Sequence, residues 1–134
     1  MITVRDVEQS LFDWAPYELA ASWDNVGHLV GEPDAEVKKV LVALDITESV
    51  VQEAIACHAD VIVAHHPVMN CAWHPVQHVR SDDPQGRMLI AMIRNGISAI
   101  CMHTNLDAAE GGVNDILAQK LGLSDTEPLG EDKI

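Results

Sequence analysis

The sequence predicts an α/β layered fold, with a mainly parallel sheet, open to becoming mixed, flanked by helices. Three observations predict it. Short β-branched runs such as "KKVLVALD" and "DVIVA" read as buried strands. Between them lie longer stretches whose apolar residues recur at helical spacing. Strand and helix alternate along the chain, the pattern of βαβ units with right-handed crossovers. The 134 residues suffice for one domain with a hydrophobic core, so 1–134 is read as a single α/β domain.

Each element follows from local chemistry. Thr3 and Asp6 resemble a capping box, and Val7, Leu11 and Trp14 follow on a helical face that Pro16 ends. "WDNVGHLVG" reads as a turn leading into a short strand bounded by Gly27 and Gly31. "KKVLVALD" is predicted to be a buried strand, apolar from Val40 to Leu44. Thr47 can cap the next helix, with Glu48 in its first turn and Val50, Val51, Ala54 and Ile55 on one face. "DVIVA" is the next strand, parallel to the preceding one. Residues 67–83 look irregular. "PQGRMLIAMIRNG" reads as a helix closing on Gly96, "ISAICMH" as a strand and "GGVNDILAQKLGL" as the last helix. The tail "SDTEPLGEDKI" is polar and aperiodic.

Composition narrows the function. Apolar residues make up 48%, the mark of a folding chain. No apolar run approaches the roughly 18 residues of a membrane span, and the N-terminus lacks signal-peptide features, so a cytoplasmic protein is expected. A net charge of −13 argues against nucleic-acid and membrane-surface partners. Cys57, Cys71 and Cys101 are scattered, without a CxxC, which argues against a disulfide framework and a thiolate zinc site.

Functional groups in open α/β sheets gather beyond the carboxyl ends of the strands. Two stretches fall there: His65 and His66 after "VIVA", and "HTNLD", His103 to Asp107, after "SAICM". Imidazoles and a carboxylate suit zinc, iron, manganese or nickel. Adjacent histidines on a regular strand would face opposite ways, but a strand-to-loop turn held by Pro67 breaks that alternation. Each imidazole could then address a different ion, with Asp107 as the bridge, an arrangement that serves hydrolysis. A hydrogen-bonded structural role is the competing reading of the pair. His103 could be a ligand, a group supporting a ligand or a catalytic acid/base. Thr104 and Asn105 read as turn residues and Cys101 as a core strand residue.

Other candidates are weaker. His74 and His78 lie in a loop-like segment. His28 and Glu32 share a face of an extended chain but stand roughly 13 Å apart, too far for one ion. His58 near a helix end reads as a dipole partner. "GGVND" lacks the lysine of a phosphate loop, although Gly111 and Gly112 permit a close backbone approach after Asp107.

Taken together, "WDNVGHLVG", "ALDIT", "DVIVAHHPVMN" and "HTNLDAAEGGVNDILAQKLGL" closely resemble the Nif-three-like, YbgI-type family, whose members are often called GTP cyclohydrolase I type 2 homologues. The motifs occur in the family's order from about Trp23 to Leu123. The resemblance implies a dinuclear centre of divalent transition-metal ions, with His65 and His66 as ligands, one toward each ion, Asp107 as the bridging carboxylate and His103 close by. It also implies a toroidal homohexamer built from trimers and a metal-dependent hydrolase acting on a purine nucleotide or related small molecule. Family proteins are longer and add a late His and Glu to the site. This chain is therefore expected to be the N-terminal part of a longer fold, with a site that is incomplete on its own. The alternative is a non-catalytic regulatory or protein-interaction module that retains a partial metal site.

Overall fold

The computed structural model describes residues 1–71 and 75–128. Four strands, β1 (Gly27–Val30), β2 (Val40–Ala43), β3 (Val61–Ala64) and β4 (Ser98–Cys101), form one sheet in the order β1-β4-β3-β2. The helices are α1 (Val4–Trp14), α2 (Glu48–Cys57), α3 (Pro84–Arg94), the short α4 (Thr104–Ala108) and α5 (Val113–Lys120), with a 3-10 turn at Tyr17–Leu19. β2, β3 and β4 are mutually parallel, running Val40 beside Val61 and Val61 beside Ser98. β1 runs antiparallel to β4, so the sheet is mixed.

The two central strands are covered on both faces, which is why their sequences read as unbroken apolar runs. Ile62, Ala64, Ala99 and Cys101 point to one face and pack with Val51 and Ala54 of α2 and Leu89 and Met92 of α3. Val61, Ile100 and Met102 meet Val4, Val7, Leu11 and Phe12 on the other. Burying a side chain such as Ile62, which is wholly inaccessible, stabilises the fold by roughly 2–3 kcal/mol. Trp14 departs from the predicted helical face. It is half exposed, and its indole Nε1 donates to the Glu110 carbonyl at 3.2 Å.

β2 also departs from expectation. It is an edge strand with an alternating burial pattern, and Leu44 lies just past its end. Leu41 packs toward α2 and α3, but Val42 is 76% exposed, and Val40 and Leu44 are exposed beside it. An apolar run cannot distinguish a strand covered on two faces from an edge strand with one open face.

Local signals place the helices. Thr3 and Asp6 form the capping box of α1, and Thr47 Oγ1 accepts from the Val50 amide at 3.3 Å to cap α2. Asp83 caps α3 and Pro84 occupies its first turn; Asn95 closes it and Gly96 follows in a left-handed conformation. Gly31 ends β1 at φ +111°, where an added Cβ would stand 2.2 Å from Ser98 Oγ. That close approach seats β1 against β4. α5 buries no residue, and its Val113, Ile116 and Leu117 are exposed. Among the described residues no helix is long and apolar enough to cross a membrane. The end of the polar tail lies outside the described residues.

Candidate metal centre

β3 and β4 end side by side, with Ala64 beside Cys101. Past those ends the chain turns. The His65 and His66 amides both donate to the Leu44 carbonyl, at 3.2 and 3.1 Å, which pulls the histidine pair off the strand path. The strict alternation of a strand is lost, and the two rings come within 5.0 Å of each other at an interplanar angle of 51°. His103 follows β4, and its ring lies 5.1 Å from that of His65 and 5.5 Å from that of His66. One ring nitrogen from each of the three lies within 4.8 Å of the others. α4 then brings Asp107 back one helical turn after His103, and its Oδ1 stands 3.5 Å from His65 Nε2. Gly112 permits this tight return, since an added Cβ would stand 1.9 Å from the Leu106 carbonyl.

Each imidazole is anchored through Nδ1. His65 Nδ1 meets the Met102 carbonyl at 2.8 Å, His66 Nδ1 meets Asp45 Oδ1 at 2.6 Å, and His103 Nδ1 meets Asp24 Oδ1 at 2.9 Å. A carbonyl or an ionised carboxylate only accepts, so each Nδ1 carries the proton and donates. In the neutral ring the lone pair then belongs to Nε2, on the side away from the anchor. Metal-binding histidines are fixed in this way.

Asp24 is the most constrained of the anchors. Its side chain is wholly buried, and Thr104 donates to its Oδ2 from both the amide, at 3.0 Å, and the hydroxyl, at 2.5 Å. Burial opposes its charge, but the hydrogen bonds from Thr104, His103 and Asn25 together outweigh burial and hold the carboxyl below its ordinary value. Thr104 and Asn105 are thus not simple turn residues. Both are buried in α4, and Asn105 donates to the Ala15 carbonyl at 2.8 Å while accepting from the His103 amide at 3.0 Å.

The donor set fits a divalent ion. His65 Nε2 and Asp107 Oδ1 face each other across 3.5 Å, a pairing that a shared metal ion or a proton on Nε2 makes attractive. Two donors bound tetrahedrally at about 2.1 Å from one ion stand about 3.4 Å apart, close to the observed spacing. A thiolate ligand has no part here: burial pushes the nearby Cys101 thiol up to about 12, and its side chain lies in the core.

The structure thus brings together His65, His66, His103 and Asp107. It leaves the weaker candidates apart. His28 lies on β1 with Nε2 donating to the Val30 carbonyl at 2.7 Å, and the exposed Glu32 lies beyond the strand. His58 is the left-handed C-cap of α2, His78 lies in an exposed loop, and His74 falls outside the described residues. A cavity of about 530 Å³ between α2 and α3 is lined by none of the four clustered residues. Sequence reasoning missed Asp24 and Asp45. Asp45 stands just past the end of β2, where the strand-end rule could have found it. Asp24 precedes β1; because β1 is antiparallel, its start lies at the same sheet edge as the ends of its neighbours.

Fold and site together define an α/β protein with a histidine–carboxylate cluster at the strand ends, suited to a metal ion. Its sequence matches the family profile Duf34/NIF3 (NGG1p interacting factor 3) over residues 2–133, and the chain belongs to that family. It is 42% identical over 116 residues to a protein of Halalkalibacterium halodurans named GTP cyclohydrolase 1 type 2 homolog, a match covering 87% of this chain and 30% of that protein. A protein of Bacillus subtilis with the same name is 38% identical over 125 residues, covering 93% of this chain and 33% of its own. Among solved structures, a Bacillus cereus protein related to NIF3 superposes with a TM-score of 0.88 at 39% identity, over 97% of this chain and 35% of that one. Reduced HcgD from Methanocaldococcus jannaschii superposes with a TM-score of 0.87 at 30% identity, over 97% and 51%. The chain spans about a third of the length of these curated relatives.

Proposed function

We propose that this chain carries the histidine-rich half of a dinuclear metal centre in a metal-dependent hydrolase acting on a purine nucleotide or related small molecule. The observation that carries the reading is the pair His65 Nε2 and Asp107 Oδ1, held 3.5 Å apart, with His65 Nδ1 anchored on the Met102 carbonyl so that Nε2 faces the cluster. His65 and His66 would each hold one of two ions, with Asp107 between them. When bound, such ions polarise the electrophile and lower the pKa of water. His103, fixed by Asp24, is oriented to act as a further ligand or to move a proton at Nε2. The names of the curated relatives support the substrate class. Further ligands would come from elsewhere in a longer protein, since three imidazoles and one carboxylate fall short of two full ligand sets. The exposed face of β2 supports a homo-oligomeric assembly, hexameric or trimer-based, and the three free cysteines support a cytoplasmic location.

Metal analysis of purified protein tests the reading. Bound Zn, Fe, Mn or Ni in the parent chain, lost on His65→Ala or Asp107→Ala, is the expected result. A parent chain that takes up none of these metals sinks it. Incubation with GTP and added Mn²⁺ then separates two outcomes: turnover abolished by Asp107→Ala identifies a hydrolase, and metal occupancy without turnover identifies a regulatory module.

A further inference from the structure

The cavity of about 530 Å³ between α2 and α3 shares no lining residue with the histidine cluster. Its floor is apolar: Val51 is buried, and Met88, Ile90 and Ala91 are half-buried. Its rim is polar and exposed, with Ser49 and Gln52 on α2 facing two arginines of α3, Arg87 and Arg94. The arginines stand two helical turns apart, which puts them on one face of α3, about 10 Å from each other along the axis. Three of the four arginines in the chain pair with a carboxylate: Arg5 with Asp34, Arg80 with Asp82 and Arg87 with Glu48. Arg94, the fourth, has no ion pair among the described residues, although acidic side chains outnumber basic ones by 21 to 8.

We infer that this cleft binds a small organic molecule that carries one carboxylate on an apolar body, with the carboxylate on Arg94. The inference goes beyond the metal reading and does not draw on it. A guanidinium meets a carboxylate through two parallel hydrogen bonds, and Arg94 offers one that no carboxylate of the described residues occupies. Arg87 and Arg94 against the single carboxylate of Glu48 leave the lining with one net positive charge, in a chain of net charge −13. The neighbouring Asp82 and Asp83 are engaged by Arg80 and by the Gly86 amide. A monoanion is thus matched in charge, whereas a polyphosphate carries more charge than the lining balances and meets Glu48 besides. The volume lies within the range of small-molecule sites, and Val51, Met88 and Ala91 give an apolar body a surface to cover. Arg94 also stands in the last turn of α3, where a cation is favoured by the helix dipole. That accounts for a positive charge at this position, but not for the apolar floor beside it.

The test is an amide-resolved NMR titration of the full chain, without added metal, with phenylacetate. Phenylacetamide serves as the uncharged analogue and inorganic phosphate as the anion without an apolar body. Saturable shifts centred on α2 and α3 are expected with phenylacetate at millimolar concentrations. Affinity should fall by between about 10- and 150-fold in Arg94→Gln, the range for losing a hydrogen-bonded charge partner, and by a similar factor for phenylacetamide on the parent. Gln52→Trp, which fills the cleft from its exposed rim, should abolish the shifts. Equal affinity of phenylacetate for Arg94→Gln and parent overturns the inference, as does phenylacetamide binding as tightly as phenylacetate. Phosphate bound in the cleft as tightly as phenylacetate also overturns it, as do shifts centred on His65 and His103 or the absence of any saturable shift.

Discussion

The Asp24 side chain contacts no solvent, yet its charge is stabilised by donors from Thr104, His103 and Asn25, and that charge sets the tautomer of His103. Asp24→Asn keeps the shape but can no longer act as an acceptor on both oxygens. It is expected to weaken Zn²⁺ or Mn²⁺ binding by about 10- to 100-fold while the circular dichroism spectrum stays native, as loss of a group that orients a metal ligand does elsewhere. Unchanged metal affinity in that variant would show that His103 needs no such orientation. That the three histidines stand just past strand ends was legible in the sequence because they closely follow apolar strands, and Asp107 comes one helical turn after His103. Asp24 was not, because its relevance depends on β1 running antiparallel, and no residue in "WDNVG" states a strand's direction. Thr104 and Asn105 misled for a related reason: polar residues after a strand favour turns, and only the tertiary fold shows that these two are buried anchors.

Among the elements, the seam between β1 and β4 holds an anomaly. Ser98 Oγ is buried and has no hydrogen-bond partner among the described residues, with Gly31 packed over it. Ser98→Ala removes an unsatisfied hydroxyl and is expected to be neutral or stabilising by about 1 kcal/mol, read as the urea midpoint. The opposite edge depends on a charge. Asp60, just before β3, accepts from the Lys38 and Lys39 amides at 2.7 and 2.8 Å and so ties the start of β2 to that of β3. The Lys38 amide bond is the main cause of its lowered carboxyl pKa. Since the folded value is depressed, the stabilisation is present above the unfolded carboxylate range near pH 4 and is lost as pH falls through the folded value. Asp60→Asn should therefore reduce the difference in denaturation midpoint between pH 7 and pH 3; a difference equal to that of the parent refutes the assignment. Helix starts were legible because caps are local, as at Thr3 and Thr47. The exposure of β2 was not, since it depends on strand order.

For the molecule as a whole, Val40, Val42 and Leu44 form an uncovered apolar stripe along an edge strand, a surface prone to association. Val42→Lys is expected to shift the chain toward smaller species in light scattering, with stability changed by no more than about 0.5 kcal/mol, because Val42 has little buried area to lose. A parent chain already monomeric at high concentration would contradict this. The alternation of elements and the mainly parallel sheet were legible from periodicity, which is a property of the whole pattern and tolerates local errors. β1 has one more consequence. Of the four described strands it is synthesised first, yet it hydrogen-bonds to β4, the last of the four to be made. A nascent chain leaving the ribosome can pair β2 with β3 while Asp24 still lacks His103, 79 positions downstream. The three imidazoles therefore converge only once β4 has been made, and the cluster forms after the β2–β3 pair.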